Sequence, residues 1–165
     1  MEDTLKQLLI KLFKASVASS KGIDALVFRA KHHEHLDLID DLESGGYVNR
    51  RDEKYYINLS SLLDIESEVY EVEKLLFLCE QLFQFLRRFY IDKPKQNISL
   101  NDLAKATDLP RADVNKTLAY MVQAGIFGSY TSDFSATEDS WVQPSEQRLR
   151  GDCFKDKIYR FKMSQ

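Results

Sequence analysis

Two stretches limit what this chain can fold into more than any others. "LDLIDDLESGGYVNR" runs from Leu36 to Arg50, and "LPRADVNKTLAYMVQAGIFGSY" from Leu109 to Tyr130. In each, apolar residues at helical spacing lead to glycine and then to a short β-prone run. Leu36, Ile39 and Leu42 form the apolar face of the first, before Gly45 and Gly46. Val114, Leu118 and Met121 form that of the second, before Gly125. Glycine accepts the left-handed backbone that helix ends favour, so both stretches read as helix, stop, strand.

The surroundings of the two stretches match. Leu5, Leu8, Leu9, Leu12 and Phe13 predict an amphipathic helix over residues 3–18, with a short helix over Ile23–Lys31 and another over His33–Glu43. "YVNRRDEKYYINL" then reads as two strands around a charged turn. Downstream a long helix ends near Tyr90, with Pro94 at its exit. Leu100–Thr107 is short and helical, and Pro110 suits the first turn of the helix that follows. "IFGSY" begins a strand, and "KIYRFKM" from Lys157 alternates as its return.

Three helices and a β-hairpin, twice over, resemble the winged helix-turn-helix superfamily. The later copy carries the resemblance in Ala104 at a close helix contact, Leu109 after the turn, Val114 and Leu118 facing inward, and "AGIF" entering the wing. Overlaying "GGYV" (45–48) on "AGIF" (124–127) sets Ala25 on Ala104, a weak internal repeat. The earlier copy departs from the pattern in lacking a clear turn between its second and third helices. The resemblance implies a mainly α fold with small β-hairpins (α+β). Its parts are a winged-helix module over 1–60, a long connecting helix over 61–93 whose later half also serves the second module, and a second winged-helix module over 94–165 with a long wing. A single larger α+β domain is the alternative.

Leu62, Ile65, Val69, Val72, Leu76, Cys79, Phe83, Leu86 and Tyr90 alternate steps of three and four, a heptad seam. From Leu75 a second stripe joins it through Leu78, Leu82, Phe85 and Phe89. The early half, Leu62, Ile65, Val69, Val72 and Leu76, is expected to serve a homodimer. The competing reading packs the same residues inside their own chain.

Charge separates the two modules. The net charge of −3 gives no whole-chain attraction to nucleic acid. "HHEHLDLIDDLES" holds Glu34, Asp37, Asp40, Asp41 and Glu43 without lysine or arginine, which suits solvent or a protein partner and would repel phosphate. Only Arg50, Arg51 and Lys54, at the first wing, offer contacts to DNA. The second module places Arg111, Asn115 and Lys116 opposite its apolar face, where arginine can read guanine, asparagine adenine, and lysine phosphate. Between Gln147 and Lys162 the basic residues Arg148, Arg150, Lys155, Lys157, Arg160 and Lys162 outnumber Asp152 and Asp156. What the resemblance implies is therefore a DNA-binding transcriptional regulator, dimeric on duplex DNA. The alternative is a winged-helix scaffold within a larger complex, with a protein partner on the acidic face of the first module.

Residues 132–156 form a loop of unusual length that contains Trp141, the only tryptophan. "SWVQ" reads either as part of a mobile tip or as an extra strand over the core. His32 and His35 share a helix face without obvious further ligands, so no metal is expected. Glycine-rich phosphate loops, nucleophile elbows and zinc-protease motifs are missing, so no catalytic residue and no cofactor is expected. Cys79 and Cys153 form no disulfide framework, no run of apolar residues is long enough to span a membrane, and the acidic start lacks a signal peptide's basic region. A cytoplasmic location without membrane contact is expected.

Overall fold

Why each element forms is clearest from its ends and its buried face. The computed structural model describes residues 1–17, 22–93, 98–123, 127–129, 141–144 and 154–155; at 17, 122, 123, 127–129 and 141–144 it describes the backbone alone. The chain is mainly helical with small antiparallel sheets, an α+β arrangement. It divides into two compact units, one built on Met1–Val72 and the other on Glu73–Met163.

In the first unit, α1 (Asp3–Val17) buries Leu8, Leu9, Leu12 and Phe13, each at 1% exposure or less. Removing such side chains from water stabilises the fold by about 1.5–3 kcal/mol apiece. A two-residue strand, β1 (Ile23–Asp24), leads directly into α2 (Ala25–Lys31). Asp24 starts that helix by accepting the Val27 N–H at 2.9 Å. A single 3-10 turn (His33–His35) supplies the corner that the sequence does not announce, and α3 (Leu36–Ser44) follows with Ile39 and Leu42 buried.

The hairpin of β2 (Val48–Arg51) and β3 (Lys54–Ile57) turns through Asp52 and Glu53. Both have positive φ, 49° and 60°, the two left-handed residues that a tight two-residue hairpin requires. Strand order is β1-β3-β2, all antiparallel, with Tyr55 opposite both Ile23 and Arg50. Tyr55 is fully buried, and the Phe28 ring meets it edge-on at 6.2 Å.

The connecting region differs from the continuous helix expected over 61–93. A short helix, α4 (Leu59–Leu62), gives way to a series of turns, and the long helix α5 runs only from Tyr70 to Asp92. Between them the N–H groups of Leu63, Asp64, Ile65 and Glu68 each donate to the carbonyl three residues back. Such turns also repeat in steps of about three, so they bury Leu62, Ile65 and Val69 as a helix would. Asp64 and Glu68 would be like-charged neighbours one turn apart in an α-helix, which weighs against the straight path. In the turns Glu68 instead pairs with Lys6.

The second unit repeats the order of the first. Most of α5 belongs to it, followed by β4 (Ile98–Ser99), α6 (Leu100–Thr107), α7 (Arg111–Gln123), β5 (Phe127–Ser129) and β6 (Trp141–Pro144). Ser99 takes the part of Asp24, accepting the Asp102 N–H at 3.1 Å. Asp108, at φ 54°, ends α6 in the left-handed region, and the Leu109 N–H reaches back to the Ala104 carbonyl. The Pro110 carbonyl accepts the first bond of α7, from the Val114 N–H at 3.1 Å.

The sheet order is β4-β6-β5, with Val142 opposite both Ile98 and Ser129 as Tyr55 is opposite Ile23 and Arg50. Two expectations are corrected here. The strand returning from β5 is Trp141–Pro144, whereas Lys157–Met163 lies outside the described residues. The pairing of Ala25 with Ala104 fails as well, because Ile23–Asp24 and Ile98–Ser99 are the matching strands and Ala25 answers to Leu100. The longer third helix of the second unit absorbs the offset.

Candidate interaction surfaces

Helix α7 was expected to turn Arg111, Asn115 and Lys116 toward solvent. Its apolar face is buried as expected, with Val114, Leu118 and Met121 all fully covered, but Thr117 and Tyr120 are buried too. Arg111, Asp113, Asn115, Lys116 and Ala119 are half-buried, and from Arg111 to Met121 only Ala112 is exposed. The Asn115 Oδ1 is buried and accepts no hydrogen bond among the described residues. Burial pushes the Lys116 ammonium below the ordinary lysine value and Lys74 adds to that, while Asp113 pulls the other way. A helix that reads duplex DNA presents its cations to phosphate, whereas Arg111 and Lys116 are half-buried.

Arg50, Arg51 and Lys54 stand exposed at the first hairpin, as expected. Arg50, however, donates to Glu53 at 2.7 Å, and Arg51 lies over the Tyr56 ring at 5.1 Å. Lys155 is exposed, whereas Arg148, Arg150 and Lys157 lie outside the described residues. The backbone at Trp141 is strand, which is the ordered alternative for "SWVQ".

Helix α3 presents the opposite surface. Asp37, Asp40, Asp41 and Ser44 form one exposed side, with Leu36 at its start. Arg29 of α2 donates to Asp40 at 2.6 Å, so the α2 and α3 surfaces adjoin. On α2 the neighbouring positions are apolar and open: Leu26 is 64% and Val27 65% exposed, with Ala30 beside them. From Asp24 to Glu43 six carboxylates face Arg29 and Lys31 alone. Sequence reasoning found the acids but did not single out Leu26 and Val27, since the short helix over Ile23–Lys31 was read without assigning its faces.

The seam assigned to a dimer is not available as a surface. Leu62, Ile65, Val72 and Leu76 are fully buried and Val69 is 5% exposed within the chain itself. What α5 leaves open is another face. Phe77 is 60% and Ile91 71% exposed. An open groove of about 330 Å³ is lined by Phe77, Gln81, Gln84, Phe85, Arg88 and Thr107, with Glu80 at its base. Glu80 is already engaged, accepting from Gln84 Nε2 at 2.9 Å and from the Phe154 N–H at 2.6 Å.

His32 is buried against Phe28, ring centroids 4.6 Å apart, instead of sharing an open face with His35. Among the described residues no group of three histidine, cysteine or acidic side chains is placed to hold a metal ion. Cys79 is sealed in the core, where burial raises its thiol far above the usual range. Among them, too, no helix is long and apolar enough to cross a membrane. Comparison with protein-family models, with curated proteins and with solved structures yields no match to this chain.

Proposed function

We propose that this chain is a non-enzymatic protein-interaction scaffold made of two winged-helix modules. The element order supports the fold reading. Each unit runs helix, strand, helix, helix, strand, strand, and in each the first strand pairs with the last. One observation carries the functional reading. The apolar and acidic side of α2 and α3 is open to a partner, whereas the basic residues of α7 are half-buried. Exposed apolar side chains beside charge are the composition of a docking face. A phosphate backbone would meet repulsion there.

The test places a photo-crosslinking amino acid at Leu26 or Val27 in the native cell. A discrete protein adduct is expected, and the absence of one at both positions would count against the scaffold. A second reading, duplex DNA binding, retains the exposed Arg50, Arg51 and Lys54. Fluorescence anisotropy with mixed-sequence duplex separates the two. Salt-sensitive micromolar binding that drops in Arg50→Ala/Arg51→Ala/Lys54→Ala would replace the scaffold with a DNA reader.

A further inference from the structure

The open face of α5 is a seam of its own. Glu73, Phe77, Gln81, Gln84, Arg88 and Ile91 follow one another at steps of three and four on one side of the helix, opposite the buried residues. Glu73, Phe77, Gln81, Arg88 and Ile91 are exposed, and Gln84 is half-buried in the groove. Neither Glu73 nor Arg88 has an ion-pair partner among the described residues. They sit about 22 Å apart along the helix, one toward each end of the groove.

We propose that this face binds a second copy of the chain, with the two α5 helices antiparallel. An antiparallel copy brings its Phe77 over Gln84, against Phe85 and Thr107, and fills the open groove with an apolar ring. The same placement sets Glu73 of each copy opposite Arg88 of the other. Because the contact is two-fold, one patch satisfies itself twice and the assembly closes at two chains. A parallel pair would set Glu73 against Glu73 and Arg88 against Arg88. Glu80 is held within the groove by hydrogen bonds from Gln84 and the Phe154 N–H, neutral donors that fix its carboxylate and leave its charge in place. This surface is distinct from Leu26 and Val27, so its failure would leave the scaffold reading standing.

Sedimentation velocity of the full chain over a range of concentrations tests the pairing. A reversible dimer is expected. Phe77→Glu is expected to weaken it about tenfold or more, as loss of a central aromatic anchor does. Arg88→Glu is expected to weaken it as well, and Glu73→Arg/Arg88→Glu to restore it. If Phe77→Glu disturbs the helical signal in circular dichroism, Ile91→Glu at an open position gives the same reading. A chain that stays monomeric throughout overturns the proposal. So does a dimer indifferent to both substitutions, or a double reversal no tighter than Arg88→Glu alone.

Discussion

Helices α3 and α7 hold the same place in their units, each after a short strand and helix and before a hairpin, and they meet water in opposite ways. α3 has nine residues, buries Ile39 and Leu42, and leaves a side of aspartates open. α7 has thirteen, buries Val114, Thr117, Leu118, Tyr120 and Met121, and half-covers Arg111, Asp113, Asn115 and Lys116. The same topology therefore supports an outward helix in one unit and an inward one in the other. The difference lies in the side chains around each helix, and topology alone assigns neither a reading role.

Substitutions can break this comparison or sharpen it. The largest effects are expected at the two buried anchors. Ile39→Ala and Leu118→Ala, both at fully covered positions, should each cost about 3 kcal/mol in urea unfolding. A loss well below 1 kcal/mol at Leu118 would mean that α7 is far less enclosed than described. Next come the equivalent caps. Asp24→Ala and Ser99→Ala each remove one side-chain acceptor from a helix start, and each is expected to cost about 1 kcal/mol. A cap that matters in one unit only would end the equivalence of α2 and α6.

Asn115 offers a test of opposite sign. Its Oδ1 is buried without a hydrogen-bond donor among the described residues, so Asn115→Leu is expected to stabilise the chain by about 1 kcal/mol. Destabilisation would reveal a donor. The smallest effect is expected from pH. Burial holds His32 below the ordinary histidine value of 6.5, and nearby Lys11 lowers it further against the pull of Glu34. Its folded state favours the neutral ring. That contribution is present above the ordinary value and is lost as pH falls through the lowered one. The first unit should therefore loosen on mild acidification, as hydrogen exchange in α2 and α3 would report, and His32→Leu should blunt the response. The chain's three histidines all lie in that unit, at 32, 33 and 35, so α6 and α7 serve as the internal control.

Much of this fold was legible in the residues. Leu8, Leu9, Leu12 and Phe13 announced α1, and the glycine stops announced both third helices and the strands after them. The two-residue strands β1 and β4 were not legible, because two residues show no alternation. Leu62, Ile65 and Val69 misled because tight turns and helices place apolar residues at nearly the same spacing. The surfaces were harder still. Periodicity identifies the apolar side of a helix but not whether its polar side meets water. Arg111 and Lys116 thus looked exposed, while Leu26, Val27 and Phe77 fell outside every apolar stripe and went unremarked.

Cys79 gives the second unit a built-in clock. A thiol at zero exposure, held protonated by its surroundings, cannot attack a disulfide reagent until α5 parts from its neighbours. With Cys153→Ser in place, the labelling rate of the one remaining thiol becomes a direct measure of how often that core opens. Anything that seats on the outer face of the same helix should slow it.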